Sequence, residues 1–241
     1  AVDKESKFLY RLTGLFRDSG TQIHHAQLNR YFVAPAITWK PSTDTMITVL
    51  SHYQKDDDGN SLQALPAEGT LLDNPNGRIP TSRNIGEPGY DRFRREQFTV
   101  GYAFGHRFSD RWKFEQNLRY ADVSVNYPTT FMFDYIRDES GLPVDSRTIQ
   151  RDAALYRDKS GTFTMDSRLL GAFDTGPVNH RTLFGIDYRH LSGSNKRGLS
   201  FAPDLDIYNP VYGEAFDRPA IDFVSKQRLE QIGVYGQNAI K

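Results

Sequence analysis

The residues best suited to holding a ligand are aromatic and fall at two-residue intervals. They are Phe131, Phe133 and Tyr135, with Tyr127 shortly before them. In an extended chain this spacing turns the rings to one side. Rings interspersed with a few polar groups are what line concave small-molecule sites. Tyr90 and Phe93 form a second aromatic pair, and His52, Gln54 and Arg119 add hydrogen-bond donors and charge. Two other clusters carry less. His24 and His25 are adjacent, so on a strand they point to opposite faces and chelate a metal poorly. Asp56-Asp57-Asp58-Gly59-Asn60 starts like a calcium loop but has neither Gly at the sixth place nor Glu at the twelfth. It reads as a polar turn capping a strand. No Gly-x-Ser-x-Gly elbow, phosphate loop or glycosidase-like carboxylate pair is present. The expectation is a binding protein that is not an enzyme, with no resident cofactor and no metal site.

The elements that must position these residues alternate with period two. The pattern predicts eight strands, at about 7–18, 29–40, 45–55, 97–108, 112–125, 161–174, 181–191 and from 226 onward. The fourth is the cleanest. Phe98, Val100, Tyr102, Phe104 and Phe108 share one face, broken only by His106, and Thr99, Gly101, Ala103, Gly105 and Arg107 share the other. Pro35 cannot donate a ladder hydrogen bond and weakens the second strand. The connections are alternately short and long. Lys40 to Thr45, Phe108 to Arg111 and Asp174 to His180 are short, whereas Asp56 to Glu96, Asn126 to Ser160 and Ser192 to Ser225 are long. A meander with its short turns at one end and its long loops at the other is the pattern of an outer-membrane β-barrel. Strands of about ten residues are long enough to cross a bilayer at a tilt. A soluble sandwich also alternates, but its strands average about 5–6 residues. The fold class expected is all-β, an antiparallel transmembrane β-barrel meander.

Composition agrees. Lys+Arg and Asp+Glu are both 30, which gives no electrostatic pull toward nucleic acid. Cysteine is absent, excluding disulfides and thiolate metal sites. No run of about 18 apolar residues exists to make a transmembrane helix, a test that barrel strands do not need to pass. Aromatics at 13% are high for a soluble domain and suit the girdles of a barrel. The chain opens at Ala1-Val2-Asp3-Lys4 without a signal peptide and stops within a strand pattern at Ala239-Ile240-Lys241. The expectation is a segment of a longer protein.

Several segments go beyond a generic barrel. Arg30-Tyr31-Phe32-Val33-Ala34-Pro35-Ala36-Ile37-Thr38-Trp39-Lys40-Pro41 resembles the strand before a periplasmic turn in TonB-dependent siderophore receptors. Leu65-Pro66-Ala67-Glu68-Gly69-Thr70, Pro75-Asn76-Gly77-Arg78-Ile79-Pro80 and Gly86-Glu87-Pro88 resemble the extracellular loop that follows. The run from Gly101 to Phe108 with Gln116-Asn117-Leu118-Arg119-Tyr120 is similar to the next hairpin, and Gly185-Ile186-Asp187-Tyr188 to a later one. Tyr208-Asn209-Pro210-Val211-Tyr212 and Gly233-Val234-Tyr235-Gly236-Gln237-Asn238 complete an ordered set closest to the ferrichrome-type branch. The resemblance implies an outer-membrane receptor that binds a ferric siderophore outside the cell and imports it with energy delivered by TonB. Its barrel would have about 22 strands closed by an N-terminal plug. Residues 1–241 would then be a partial barrel of about eight strands, without the plug and without the TonB-contacting region.

Under this resemblance the siderophore is transported cargo, and outer-membrane lipid is the other partner. Tyr127, Phe131, Phe133 and Tyr135 would stand in the second long loop at the barrel mouth. His52, Gln54 and Arg119 would face the lumen near the outer rim, and Tyr90 and Phe93 would lie in the first long loop. Two positions that carry aromatic ligand contacts in ferrichrome receptors correspond here to Leu62 and Ala64, which points away from ferrichrome itself. Gly236 and Asn238 also depart from the bulkier and acidic residues usual there. Other readings are the same architecture importing cobalamin or a glycan, a small closed barrel acting as adhesin or membrane enzyme, and a soluble β protein. A partial barrel would leave two long unpaired edges.

Overall fold

The computed structural model describes residues 7–59 and 63–240. Ala1 to Lys4, Asn60, Leu62 and Lys241 fall outside the described residues. Eight strands form one sheet in chain order: β1 (Phe8–Gly20), β2 (Gln27–Trp39), β3 (Thr45–Asp58), β4 (Phe93–Arg107), β5 (Trp112–Tyr135), β6 (Thr148–Thr175), β7 (Val178–Asp206) and β8 (Phe223–Ile240). Every neighbouring pair is antiparallel. Among the described residues β1 and β8 do not pair, so the sheet is an open arc and the small closed barrel is overturned.

Register makes the two faces chemically distinct. One hydrogen-bonded row runs Tyr10, Ile37, Val49, Tyr102, Leu118, Met165, Tyr188 and Ile232 across all eight strands. The next row on the opposite face runs Arg11, Ala36, Leu50, Gly101, Arg119, Thr164, Arg189 and Gln231. Tyr10 and Ile232 are 68% and 76% exposed, as an apolar face must be when no protein layer covers it. A hollow of about 620 Å³ takes its lining from seven strands, Arg11 on β1 and Arg189 on β7 included, so the polar face is the concave one. An apolar convex face and a polar concave face are what a lipid-embedded wall with a wet lumen requires. Gly185 has a specific reason to be small. A Cβ there would meet the Tyr235 ring at 2.1 Å, and that tyrosine crosses the glycine to donate to Asp166 Oδ1 at 2.5 Å.

The connections fall at two ends. Residues 40–44, 108–111 and 176–177 close short turns at one end, the last with Gly176 at φ 63°. Residues 21–26, 59–92, 136–147 and 207–222 connect strands at the other. Two of the expected long loops are much shorter than the sequence pattern predicts, because β5, β6 and β7 run far beyond it, to 24, 28 and 29 residues. Pro128 and the polar runs around Asp158 and Ser194 obscure the alternation. Above a bilayer both faces of a hairpin meet water or other loops, and alternation is no longer demanded there.

These upper hairpins hold a cap. Ile79 and Ile85 from the 59–92 connection pack with Tyr135, Ile149, Leu205 and Ile207 in a buried cluster. Beside it Arg151, 2% exposed, donates from Nε to Pro203 O at 2.7 Å and from Nη1 to Gly86 O at 2.8 Å. Its Nη2 meets Glu87 Oε2 at 3.2 Å, and Glu87 Oε1 accepts from Gly213 N at 2.9 Å. One buried ion pair thus joins the 59–92 connection, the β6–β7 hairpin and the 207–222 connection. Buried Asp91 accepts from Thr130 N at 2.7 Å and from its Oγ1 at 2.9 Å, fixing the same connection to β5.

Three outcomes follow for the full-length protein. Leu118→Arg places a charge on the convex face and lowers stability in lipid by about 2–4 kcal/mol. Gln231→Lys, on the concave face, stays within about 0.5 kcal/mol; denaturant titration in vesicles reads both. Arg151→Ala leaves Glu87 buried without its partner, at about 3–5 kcal/mol. That loss registers as faster protease cleavage within 63–92 and 207–222 while the transmembrane strands stay protected.

Candidate functional site

The concave face carries a row of rings well above the hollow. Tyr127 on β5 pairs with Tyr156 on β6, which pairs with Arg197 on β7, which pairs with Phe223 on β8. The Tyr127 ring lies 5.5 Å from that of Phe93, edge to face, and 6.1 Å from that of Tyr156, stacked. The Arg197 guanidinium sits 5.0 Å over the Phe223 ring. Tyr127 lies an even number of residues from Arg119, so both project to the same side, about 26 Å apart at about 3.3 Å per residue. A second row follows, in which Phe131 pairs with Asp152 and Asp152 with Phe201. Aromatic pairs at these separations gain about 0.5–1.5 kcal/mol beyond area burial, which helps hold the wall in place.

The expected site residues divide. Tyr127, Phe131 and Phe93 share the concave wall, though Tyr127, Phe131, Phe133 and Tyr135 stand on strand β5 and Phe93 on β4 rather than in loops. Phe133 occupies the bulge between Met132 and Asp134 and is 69% exposed. Tyr135 faces the protein interior. It is buried in the cap cluster, and its hydroxyl donates to Glu68 O at 3.3 Å. Tyr90 is also structural: its hydroxyl donates to Ala154 O at 3.0 Å and its ring meets Phe216 edge-on at 5.2 Å. Burial pushes the Tyr90 hydroxyl up to about 12, helped by the charge of Asp91, so it stays a donor at neutral pH.

His52 and Arg119 line the hollow on the concave face, well below the aromatic row and not near the outer rim. His52 Nε2 accepts from Gln97 Nε2 at 2.9 Å and lies 3.3 Å from Thr99 Oγ1. Gln54 is committed to Asp56, donating to its Oδ2 at 2.9 Å. Asp56 also binds Arg30 at 2.5 Å and Arg95 at 2.7 Å. Asp57 pairs with Arg92, and Asp58 accepts from Asn29 N at 2.7 Å. The acidic triplet is therefore the end of strand β3, matched by basic and amide groups, and not a turn. His24 and His25 sit in the 21–26 turn and not on a strand. His24 O accepts from Asn84 Nδ2 at 2.8 Å, and the His25 ring meets that of Tyr212 at 5.4 Å.

Tyr156, Arg197, Phe201 and Phe223 are the wall residues that sequence patterns miss. Each lies where the expected strands have already ended. Their common signal is cross-strand pairing with Tyr127 or Phe131, which becomes visible once the register of the long hairpins is known.

Comparison with known proteins gives the same picture. Residues 38–241 match the family described as TonB dependent receptor-like, beta-barrel. The ferrioxamine B receptor of Salmonella typhimurium (strain SL1344) is 29% identical over 237 residues, covering 98% of this chain and 33% of that protein. The ferrichrome outer membrane transporter/phage receptor of Escherichia coli (strain K12) is 31% identical over 260 residues, covering 99% and 34%. Among solved structures, the closed form of the ferric-catecholate import receptor Fiu from E. coli K12 superposes with a TM-score of 0.82 at 16% identity, over 98% of this chain and 35% of that one. At that identity the superposition speaks for the fold alone. The chain spans about a third of the length of the curated relatives it matches. An unbroken antiparallel arc, an apolar convex face and a sequence match over most of the chain converge on one assignment: this chain belongs to the TonB-dependent receptor β-barrel family.

Proposed function

We propose that this chain forms one arc of an outer-membrane receptor that binds a ferric siderophore from outside the cell and passes it inward. The whole of residues 1–241 is barrel wall on this reading. A separate plug fills the lumen, TonB supplies the energy through the N-terminal region, and further strands complete a barrel of about 22. The observation that carries the reading is the row Phe93, Tyr127, Tyr156, Arg197 and Phe223, standing on the concave face above the hollow. A siderophore presents iron already wrapped in organic ligands, so its receptor needs ring surfaces, donors and charge rather than metal-coordinating side chains. The relatives named for ferrioxamine B and ferrichrome support cargo of that kind. The unpaired edges of β1 and β8 support the larger barrel, because lipid offers no hydrogen bonds to an exposed strand edge.

The test is growth under iron starvation of a strain lacking its own siderophore receptors, complemented with the full-length gene and fed a panel of ferric siderophores. Rescue by at least one, lost when TonB is deleted, is the expected result. With the protein correctly inserted, absence of rescue across the panel moves the function to another cargo. The double variant Tyr127→Ala, Tyr156→Ala raises the Kd of the rescuing siderophore about tenfold, or about 1.4 kcal/mol. Residues 1–241 expressed alone in lipid aggregate or close abnormally; a monodisperse folded monomer contradicts the open-arc reading.

A further inference from the structure

One turn fastens the 59–92 connection to two of its neighbours. In Asn74-Pro75-Asn76-Gly77 the Gly77 N donates to Asn74 O at 2.9 Å, and Gly77 stands at φ 89°. Three side-chain hydrogen bonds tie this turn to other segments. Asn74 Nδ2 donates to Ser146 O at 2.8 Å and Asn76 Nδ2 to Asp145 O at 2.7 Å, both on the tip that joins β5 to β6. Tyr208 Oη, from the 207–222 connection, donates to Gly77 O at 2.6 Å. The carbonyl that Asn74 holds belongs to Ser146, a non-glycine residue at φ 50°. That conformation is costly unless the surroundings fix it, so the docked turn also steadies a strained tip.

One of these donors is chemically perishable. Asn76 is exposed and is followed by glycine, the neighbour that hinders attack on its side-chain carbonyl carbon least. Gly77 is kept glycine by its φ and not by crowding, since a Cβ there would meet nothing within 4 Å. The Gly77 amide nitrogen can attack Asn76 Cγ. The N–Cγ bond forms, the Cγ–Nδ2 bond breaks and Nδ2 leaves as ammonia. Water then opens the resulting succinimide at either carbonyl, leaving aspartate or isoaspartate. Asparagine and water have become an acid and ammonia, with no enzyme, oxidant or cofactor. In the docked turn both reacting groups are occupied. The Gly77 N–H is held by Asn74 O, and Asn76 Nδ2 by Asp145 O and, at 3.2 Å, Asn74 Oδ1. Attack therefore needs the turn to open first. Asn74 is spared this route because it precedes Pro75, whose nitrogen carries no hydrogen to lose.

We infer that Asn76 is a self-modifying latch: spontaneous deamidation at Asn76-Gly77 releases the 59–92 connection from the β5–β6 tip. The product places a carboxylate oxygen, an acceptor only, where an amide donor faced the Asp145 carbonyl, and two acceptors at that distance repel. The isoaspartate form also lengthens the backbone by one carbon, which displaces Gly77 from its bonds to Asn74 and Tyr208. Opening permits the reaction and the reaction opposes re-docking, so the change runs one way. Nothing in this chemistry depends on which cargo the receptor carries.

The experiment incubates the full-length receptor in lipid vesicles at mildly alkaline pH and maps its peptides by mass spectrometry, beside the free peptide 70–82. The expected result is conversion of Asn76 to aspartate and isoaspartate with Asn74 unchanged. In the folded receptor it runs about tenfold slower than in the peptide, the protection that a docked segment gains from having to open locally. Tyr208→Phe, which frees Gly77 O, speeds the conversion about fivefold, the effect of one hydrogen bond. Asn76→Asp carries the product's charge from the outset and is cut by protease within 63–92 about fivefold faster than the native receptor. Conversion in the folded receptor as fast as in the peptide overturns the inference. So does the absence of conversion in both the native receptor and Tyr208→Phe while the peptide reacts fully. Native protease resistance in Asn76→Asp overturns it independently, and decides the matter if Tyr208→Phe fails to fold. None of these outcomes touches the siderophore reading.

Discussion

The backbone ladder between neighbouring strands is the interaction on which everything else here depends. Each of the seven strand pairs holds an antiparallel register, and six of the eight strands have partners on both sides. In a bilayer an unpaired amide or carbonyl costs several kcal/mol, so the ladder must be complete at membrane depth. Once it is complete, side chains have only two directions to take. The convex face must be apolar and the concave face is released from that demand. This explains why Leu118 and Arg119 can be neighbours in sequence yet belong to different solvents.

Above the membrane the same ladder continues with different rules. Strands β5, β6 and β7 keep pairing past the level at which lipid requires it, and their upper ends become a scaffold for the cap. Long connections are ordinarily the least ordered parts of a structure, since they bury little apolar area. Here the 59–92 connection contributes Ile79 and Ile85 to a true buried cluster and is tied by Arg151, Glu87 and Asp91. The ion pair is in a setting where breaking it costs more than its formation contributes, because the lost partner leaves a charge in a dry place. Its effect is to hold two connections and a hairpin in one arrangement.

Legibility in the sequence follows that division. The transmembrane part of each strand was readable because one face must alternate against lipid, as in Phe98, Val100, Tyr102 and Phe104. The turn positions were readable from their polar and glycine residues, and the aromatic candidates Tyr127, Phe131 and Phe93 fall on one wall. The upper hairpins were not readable. Pro128 suggests a break but is accommodated at a position paired with Leu155, and Gly193 with its serines suggests a turn but lies in mid-strand. Tyr135 and Phe133 are both aromatic and two residues apart, and the bulge that Phe133 occupies leaves it in solvent while Tyr135 beyond it is buried. The partners of Arg151 lie 52 to 66 residues away, beyond any local pattern.

Placing the aromatic wall on strands rather than on loops has a consequence for recognition. A ligand that must first order a loop loses affinity to the entropy of that ordering, whereas a wall already held in register loses little. Tyr127 sits between Phe93, edge to face, and Tyr156, stacked, and all three backbones are inside the ladder. On the proposed function such a wall would discriminate by shape and charge, since it cannot fold around whatever arrives. Selectivity then falls to the few groups on it that remain uncommitted. Gln54, Asp56, Asp57 and Arg30 are matched among themselves or by neighbours and offer an arriving molecule little.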